Sequence, residues 1–204
     1  MTSQPDIPGV LTSQLLPGLF SMCPEAADQP VRVLDLGAAS GMTVQVFGQY
    51  RCRLQFCDLS EQAFRPENLP KNAEGEIDED ELVVYFRSLL DLADGSRFDI
   101  CLFWDFLNQL DNIALKGFCR ALKPHLHAET RGHGFAVLNK SSRLSPQRYA
   151  LLSKDRIAVL GVDGAESLRY PRPQSTFNRL LEGLEITRGV LRGDGRLEIL
   201  LQTI

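Results

Sequence analysis

The sequence predicts an α/β protein built on a mostly parallel β-sheet. A short apolar run, Val31 to Leu34, ends at Asp35 and is followed by five small residues from Gly37 to Gly41. Apolar residues at helical spacing then run from Met42 to Gln49, so this part of the chain is a strand, a tight turn and a helix. Near the C-terminus, two alternating runs flank Asp194-Gly195, which is the strongest short-range signal for an antiparallel hairpin.

Length and composition limit the class of protein. At 204 residues the chain has the size of one domain, which we predict to span residues 1–204 and to bury about 70% of its unfolded surface. Its formal net charge of −4 argues against a nucleic-acid partner, which would require a basic surface. The five cysteines are odd in number and include no CxxC pair, so they predict buried thiols in a reducing compartment and no metal site.

The N-terminal segment lacks the features of a targeting sequence. No lysine or arginine precedes Arg32, and prolines interrupt the apolar stretches before it. No apolar run reaches the roughly 18 residues that a membrane span requires, so we expect a cytoplasmic protein with no membrane partner. Residues Leu11 to Met22, interrupted by Pro17-Gly18, predict a broken helix. It belongs to an N-terminal helical cover over residues 1–29, which either shields a ligand or only closes the sheet.

Two acids indicate which ligand the turn would hold. In a dinucleotide site a pyrophosphate lies on the helix N-terminus, but the carboxylate of Asp35 would repel it and could attract the ammonium of an amino-acid ligand. Asp58 follows a second apolar strand, Leu54 to Cys57, where an acid accepts hydrogen bonds from ribose hydroxyls. An ammonium site and a ribose site on either side of a glycine turn describe S-adenosylmethionine. A nicotinamide cofactor is disfavoured by Asp35 and by the terminal hairpin.

These residues resemble the motifs of the class I S-adenosylmethionine-dependent methyltransferases. The segment Asp35-Leu36-Gly37-Ala38-Ala39-Ser40-Gly41 is similar to the family's acid-x-Gly-x-Gly-x-Gly, with Ala39 in place of the middle glycine, and Asp58 is similar to its ribose-binding acid. The resemblance spans roughly residues 30 to 204. It implies a Rossmann-like fold with helices on both faces of a seven-stranded, mostly parallel sheet of strand order 3-2-1-4-5-7-6. The antiparallel C-terminal hairpin would supply its last two strands.

The resemblance also implies S-adenosylmethionine as the cofactor and a set of residues to hold it. In the family, the turn after the third strand meets the adenine, often through an Asp, and Ser88 stands at the matching position here. The predicted cofactor-binding residues are Asp35, Gly37, Ala39, Gly41, Asp58, Leu59, Ser88, Leu89 and Trp104.

The segment between Asp58 and the fourth strand is the most ambiguous part of the sequence. Eight acids against two basic residues over 61–81 indicate a solvated loop, or alternatively a surface for a basic partner. Residues Leu82 to Leu90 fit either a strand, because Val83 to Phe86 favour β-structure, or a helix that begins after the preceding acids. We predict a strand here, the third of the sheet.

The buried strand Phe98 to Phe103 leads into Trp104-Asp105, and Asn108 follows. In the resembled family this junction lines the methyl-transfer pocket, although these residues could also pack in the core and Asn108 could cap a turn. Because methyl transfer from a sulfonium depends mainly on alignment, we predict no catalytic triad. Asp105 is the candidate base if the acceptor must lose a proton, and His133 is a weaker one.

The second half of the chain predicts a helix over Ile113 to Leu126, a fifth strand over Phe135 to Leu138 and a last helix over Phe177 to Leu184, capped by Ser175 or Thr176. His125 and His127 lack a third ligand for a metal. Residues 140–172 form a predicted insertion on the substrate side with a local charge of +4.

In this insertion, residues 157–162 and 168–170 could pair as a hairpin over the ligand end of the sheet. Basic and aromatic residues there, among them Arg148 and Arg172, would then meet an anionic substrate, unless they form only a solvated basic edge. The predicted substrate-binding residues of the chain are Asp105, Asn108, Arg143, Tyr149 and Tyr170.

The sequence thus predicts an S-adenosylmethionine-dependent methyltransferase acting on a small-molecule acceptor, anionic or not, or on a protein. The Asn/Asp-Pro-Pro-aromatic motif of enzymes that methylate amino groups of bases or glutamine is missing after Phe103. The alternative is a non-catalytic, methyltransferase-like binding or partner subunit. The sequence predicts neither the acceptor nor the oligomeric state.

Overall fold

The computed structural model describes residues 9–23, 29–59, 61–138, 147–161 and 169–204. The strands are β1 (Gly9–Thr12), β2 (Val31–Asp35), β3 (Cys52–Phe56), β4 (Ile100–Trp104), β5 (Arg131–Val137), β6 (Gln147–Leu151), β7 (Arg156–Gly161), β8 (Leu184–Leu191) and β9 (Arg196–Thr203). The α-helices are α1 (Leu16–Phe20), α2 (Gly41–Phe47), α3 (Glu79–Leu90), α4 (Asn112–Leu122) and α5 (Gln174–Leu180). Short 3-10 helices cover Glu61–Phe64, Phe106–Asn108 and Lys123–His125.

The main sheet has six strands in the order β3-β2-β4-β5-β9-β8. The pairs from β3 to β5 are parallel, and β9 pairs antiparallel with both β5 and β8. The predicted crossover from β2 through the glycine turn into α2 is confirmed, as is the terminal hairpin of β8 and β9. Gly195 adopts a φ of 83° in its turn, which explains why a glycine follows Asp194 there.

The predicted third strand is wrong, and the seven-stranded order is not found in the described part of the chain. Residues 82–90 belong to the helix α3, which the carboxylate of Asp78 caps by accepting hydrogen bonds from the backbone N–H groups of Asp80 and Glu81. One face of the helix is buried at helical spacing, through Leu82, Val83, Phe86 and Leu90. Capping and the burial of one face therefore outweighed the β-propensity of the sequence.

The N-terminal prediction is partly wrong. A helix is present, but α1 is short, and Pro17 lies in its first turn, where a proline needs no backbone N–H partner. The preceding Leu11 lies instead in β1, which pairs antiparallel with β7. Strand β7 also pairs with β6, so the three form a separate antiparallel sheet of order β1-β7-β6.

The predicted hairpin between 157–162 and 168–170 is also wrong for its described residues. Ile157 pairs with β6 and β1, and the backbone N–H of Tyr170 donates to the carbonyl oxygen of Asn108. Residues 162–168 lie outside the described part. Strand β7 pairs with β6 instead, because the β6 residues Tyr149, Ala150 and Leu151 are buried against the core.

Three smaller expectations need correction. The last helix spans Gln174–Leu180 and not Phe177 to Leu184, and neither Ser175 nor Thr176 caps it, because its N-cap position is Pro173. The acidic segment 61–81 is only partly a solvated loop, since Phe64 and Leu69 are buried in it.

Each face of the main sheet carries its own core. Because side chains alternate along a strand, Val33 and Leu102 pack with α1, α2 and the small sheet, whereas Leu34 and Phe103 pack with α3 and α4. Helices thus cover both faces, as predicted. None of the described helices is both long and apolar enough to cross a bilayer.

Candidate functional site

A cleft opens at the carboxyl ends of β2, β3 and β4, the edge at which open α/β sheets bind ligands. Its volume of about 350 Å³ lies within the usual range for small-molecule sites. Residues from the glycine turn, from the ends of β3 and β4 and from β6 line it: Leu36, Gly37, Ala38, Asp58, Leu59, Phe103, Trp104, Asp105, Phe106, Gln109, Gln147, Arg148 and Tyr149.

The glycine turn forms one wall of the cleft. A Cβ atom added at Gly37 would lie 2.9 Å from the indole ring of Trp104, so only glycine fits at this position. Ala39 is exposed, so its methyl group points into no packed space and the turn can form without a glycine there. At Gly41 an added Cβ would meet no atom within 4 Å, so space is open there.

Asp58 and Leu59 directly follow β3 and line the cleft beside the glycine turn. The Asp58 side chain belongs to an exposed residue, so its carboxylate is available to a ligand. The structure thus places Asp58 at the cleft, and its ribose-binding role stays a prediction.

Asp35 is buried and does not line the cleft. Its Oδ1 atom accepts hydrogen bonds from Nε1 of Trp104 at 2.6 Å and from the backbone N–H of Gly37 at 2.8 Å. Burial raises the pKa of this carboxyl to about 6, although both hydrogen bonds act to lower it. The carboxylate that the sequence predicts as the ammonium partner therefore already accepts a hydrogen bond from the indole of Trp104 at Oδ1.

Trp104 has an unusual backbone and a tightly packed side chain. Its φ of 50° is left-handed, which is a genuine outlier for a bulky residue, and the register between β4 and β5 shifts next to it. The indole stacks on the Tyr149 ring with the planes at 7° and the centroids 5.4 Å apart. The sequence holds no signal for this arrangement, because a bulge inside an apolar strand leaves no mark on its pattern.

A polar network forms the floor of the cleft. Asp105 is buried and pairs with Arg169, whose Nη1 atom lies 3.2 Å from Oδ2. Burial raises the pKa of Asp105, although Arg169 acts to lower it. The hydroxyl of Tyr149 lies 3.5 Å from the same carboxylate and 2.5 Å from Nη1 of Arg196.

Sequence reasoning did not select Arg169, Arg196 or Gln147 as site residues. Arg196 begins β9 directly after the Asp194-Gly195 turn and points back to Tyr149 and Gln147. The hairpin signal was thus interpreted only as a turn. The same turn also places Arg196, whose Nη2 atom lies 2.6 Å from Oδ2 of Asp194.

Several predicted site residues lie away from the cleft. The side chain of Asn108 is fully buried: its amide nitrogen donates to the carbonyl oxygens of Asp105 and Phe135, and its oxygen accepts from the N–H of Val137. It holds the end of β5 and leaves no polar atom for a substrate. Tyr170 lies in a different depression, beside Arg172 and Asp111.

Ser88 and Leu89 are residues of α3 and do not reach the cleft. The hydroxyl of Ser88 donates to the carbonyl of Tyr85, and Ser88 lines another depression with Pro124 and His125. Leu89 packs against the core. Arg143 lies outside the described residues.

His133 is buried behind the cleft and does not line it. Its Nε2 atom lies 2.9 Å from Oε1 of Glu198, with which it forms a buried pair. All five cysteines are free thiols, four of them buried and Cys52 half-buried. Within the residues described, no group of three histidine, cysteine or acidic side chains could hold a metal ion.

No protein-family model and no curated protein matches this sequence. Solved structures do match its architecture. One is the 1,6-didemethyltoxoflavin-N1-methyltransferase of Burkholderia thailandensis, 14% identical at a TM-score of 0.52, with 94% of this chain and 79% of that chain covered. Another is an S-adenosylmethionine-dependent methyltransferase of Clostridium acetobutylicum, 14% identical at a TM-score of 0.50, with 95% and 92% covered. The chain has the fold of the S-adenosylmethionine-dependent methyltransferases.

A third similar structure is LepI in complex with S-adenosylmethionine. It is 13% identical at a TM-score of 0.54, and the match covers 99% of this chain but 50% of that one, so this chain spans about half the length of LepI. A protein described as a pericyclic reaction enzyme matches equally well, at 14% identity and a TM-score of 0.54. Proteins of different stated activity thus share this architecture, and the reaction has to be argued from the site.

Proposed function

We propose that the cleft binds S-adenosylmethionine and that the protein transfers its methyl group to a small-molecule acceptor. The observation that carries the proposal is the pairing of the Gly37 turn with Asp58 on one wall of a cleft at the ligand edge of a methyltransferase fold. The hydroxyls of a ribose beside Asp58 would donate charge-assisted hydrogen bonds to its carboxylate, each contributing about 1.5–3 kcal/mol.

The residues present fit this cofactor in part. Gly37, Ala38, Asp58 and Leu59 line a cavity of suitable size, and we assign them to the nucleoside. Asp35 has the right chemistry for the ammonium, but its hydrogen-bonding oxygen is engaged by Trp104. We do not assign Ser88 and Leu89 to the adenine, because both lie on α3 away from the cleft.

When bound, the cofactor supplies a methyl group already activated by its positive sulfur. The task of the chain is to hold the acceptor in line with that methyl group, which can contribute about 7–11 kcal/mol without an acid or base. Tyr149 and Arg148 flank the space next to Trp104 and can orient the acceptor. The cationic guanidinium of Arg148 favours an anionic or polar small molecule over an extended basic partner.

Asp105 is the proposed proton acceptor where the nucleophile carries a proton. It lines the cleft, and its burial raises its pKa and so its basicity. Arg169 holds the carboxylate in place through an ion pair, and it lines the neighbouring depression and not the cleft.

The experiment that tests the proposal measures binding of S-adenosylmethionine and S-adenosylhomocysteine by calorimetry. We expect a Kd in the micromolar range and a loss of about tenfold or more in Asp58→Ala, since one charged hydrogen bond disappears. The matched control is Asp94→Ala, because Asp94 is also exposed but lies outside the cleft.

The single tryptophan of the sequence, Trp104, lines the cleft, so its fluorescence should report binding at this place. Absence of binding at high ligand concentration contradicts the proposal.

The second candidate function is a non-catalytic subunit with a methyltransferase fold. It is favoured by the indole of Trp104, which takes the hydrogen-bonding position that a cofactor ammonium would need on Asp35. Binding of S-adenosylmethionine without any methyl transfer would favour the non-catalytic subunit over the enzyme. An enzyme converts S-adenosylmethionine to S-adenosylhomocysteine when a suitable acceptor is added, and mass spectrometry of the nucleoside follows this conversion directly.

A further inference from the structure

Asp35 is a buried carboxylate whose partners are neutral. Its relative exposure is 1%, and its Oδ1 atom receives the indole N–H of Trp104 and the backbone N–H of Gly37. The interactions that dominate its ionisation are burial, these two hydrogen bonds and the carboxylate of Asp58, and none of them supplies positive charge. A buried acid normally has a cationic partner, so this site is poised to receive one.

Two glycines on neighbouring segments leave the space that Trp104 occupies. Gly37 is required because an added Cβ would lie 2.9 Å from the indole. Gly134 on β5 is required because its Cβ would lie 2.8 Å from the carbonyl oxygen of Trp104. A left-handed residue of this size costs of order 1–3 kcal/mol and persists only where its surroundings hold it.

We infer that Trp104 occupies the subsite of the cofactor's ammonium group and thereby determines which adenine nucleosides the cleft prefers. A ligand whose amino-acid tail binds at Oδ1 of Asp35 has to displace the indole from that oxygen, whereas a nucleoside without that tail binds beside Asp58 with Trp104 in place. This inference rests on the proposed function, because it assumes that the nucleoside lies between the Gly37 turn and Asp58.

The competition is between a neutral and a charged donor for the same oxygen. An ammonium forms a charge-assisted hydrogen bond, roughly twice as strong as that of a neutral N–H group, so the tail can displace the indole. The displaced indole also loses its stack on Tyr149, and this loss weakens binding of the tailed ligand. Trp104 is thus a specificity-determining residue and not a catalytic one.

The test compares S-adenosylhomocysteine with 5′-methylthioadenosine, the corresponding thioether nucleoside without the amino-acid tail, by calorimetry. In Trp104→Phe the indole donor is absent while an aromatic ring is kept. We expect the Kd of S-adenosylhomocysteine to fall by about tenfold and that of 5′-methylthioadenosine to change by less than about threefold. A ratio of the two Kd values that stays at the wild-type value overturns the inference.

A second variant keeps the test decisive if Trp104→Phe fails to fold. Asp35→Asn still accepts the indole N–H but carries no charge for an ammonium. We expect it to weaken S-adenosylhomocysteine by about tenfold and to leave 5′-methylthioadenosine within about threefold of wild type. Equal effects on both ligands overturn the inference while the proposed function stands. If the wild-type protein binds neither nucleoside, the proposed function itself fails.

Discussion

At the scale of single residues, Asp35 shows how a buried carboxylate can be costly for stability. Its pKa in the folded protein is raised to about 6 from an ordinary value of 3.8, mainly by burial. The ionised form is thus disfavoured by folding, and the stability present below pH 4 is lost as the pH rises through 6. Sites that bind ligands often retain such unfavourable groups.

This argument predicts a pH-dependent effect of Asp35→Asn. Between pH 4 and pH 7 the variant should gain up to about 3 kcal/mol of unfolding free energy relative to wild type, because asparagine has no charge to bury. Urea unfolding at both pH values measures the difference. The control is Asp94→Asn, which changes an exposed carboxylate. A constant offset between variant and wild type across this range would falsify the assignment.

Trp104 marks the limit of prediction from sequence at this scale. Gly37 and Asp58 could be assigned because glycine turns and strand-end acids recur at fixed spacings. The left-handed φ of Trp104 depends on Gly134, thirty positions along the chain and on the neighbouring strand, and such a dependence has no local signature. The sequence therefore predicts a carboxylate at Asp35 that is free to meet a ligand, and it does not predict the hydrogen bond from the indole of Trp104.

At the scale of elements, the sequence correctly predicted the helices and strands for which local propensity and burial in the fold favour the same structure. The crossover into α2 and the Asp194-Gly195 hairpin are examples. Prediction failed at α3, where Val83 to Phe86 favour a strand but the helix is set by its cap and by burial of one face. It failed again at β1 and β7, because their pairing joins segments that are more than a hundred residues apart.

The cap of α3 leads to a stability prediction. Asp78→Ala removes two hydrogen bonds to the backbone N–H groups of Asp80 and Glu81, so it should lower the free energy of unfolding by about 1 kcal/mol. Asp78→Asn, which preserves the accepting oxygen, should lose less than half of this. Thermal or urea unfolding measures both variants. Equal losses in the two variants would show that charge at the first turn matters more than the cap.

At the scale of the whole molecule, the cleft is assembled from both sheets. The main sheet provides the Gly37 turn and Trp104, while β6 of the small sheet brings Tyr149 over the indole. A buried network joins the two sheets: Glu198 on β9 accepts from the hydroxyl of Ser13 and pairs with His133 and with Arg192. The two sheets that line the cleft are thus also joined by residues outside it.

Glu198 is the central residue of this buried network, and its ionisation sets the pH range in which it stabilises the fold. Burial raises its pKa, but the hydrogen bonds from His133 and Ser13 dominate together and lower it to about 2, against an ordinary 4.5. Its contribution, up to about 3 kcal/mol, is present above pH 4.5 and is lost as the pH falls toward 2. Glu198→Gln should therefore destabilise the protein at pH 7, and the difference from wild type should shrink below pH 4.5.

The same variant tests whether the small sheet opens as a unit. Ser13 follows β1 and is tied to Glu198, so Glu198→Gln should raise amide hydrogen exchange in β1 and β7. The strands β2 and β4, at the centre of the main sheet, should keep their protection. Exchange that increases equally in all four strands would mean that Glu198 stabilises the fold only globally. Selective opening should in addition weaken the stack of Tyr149 on Trp104, and the fluorescence of the single tryptophan should change with it.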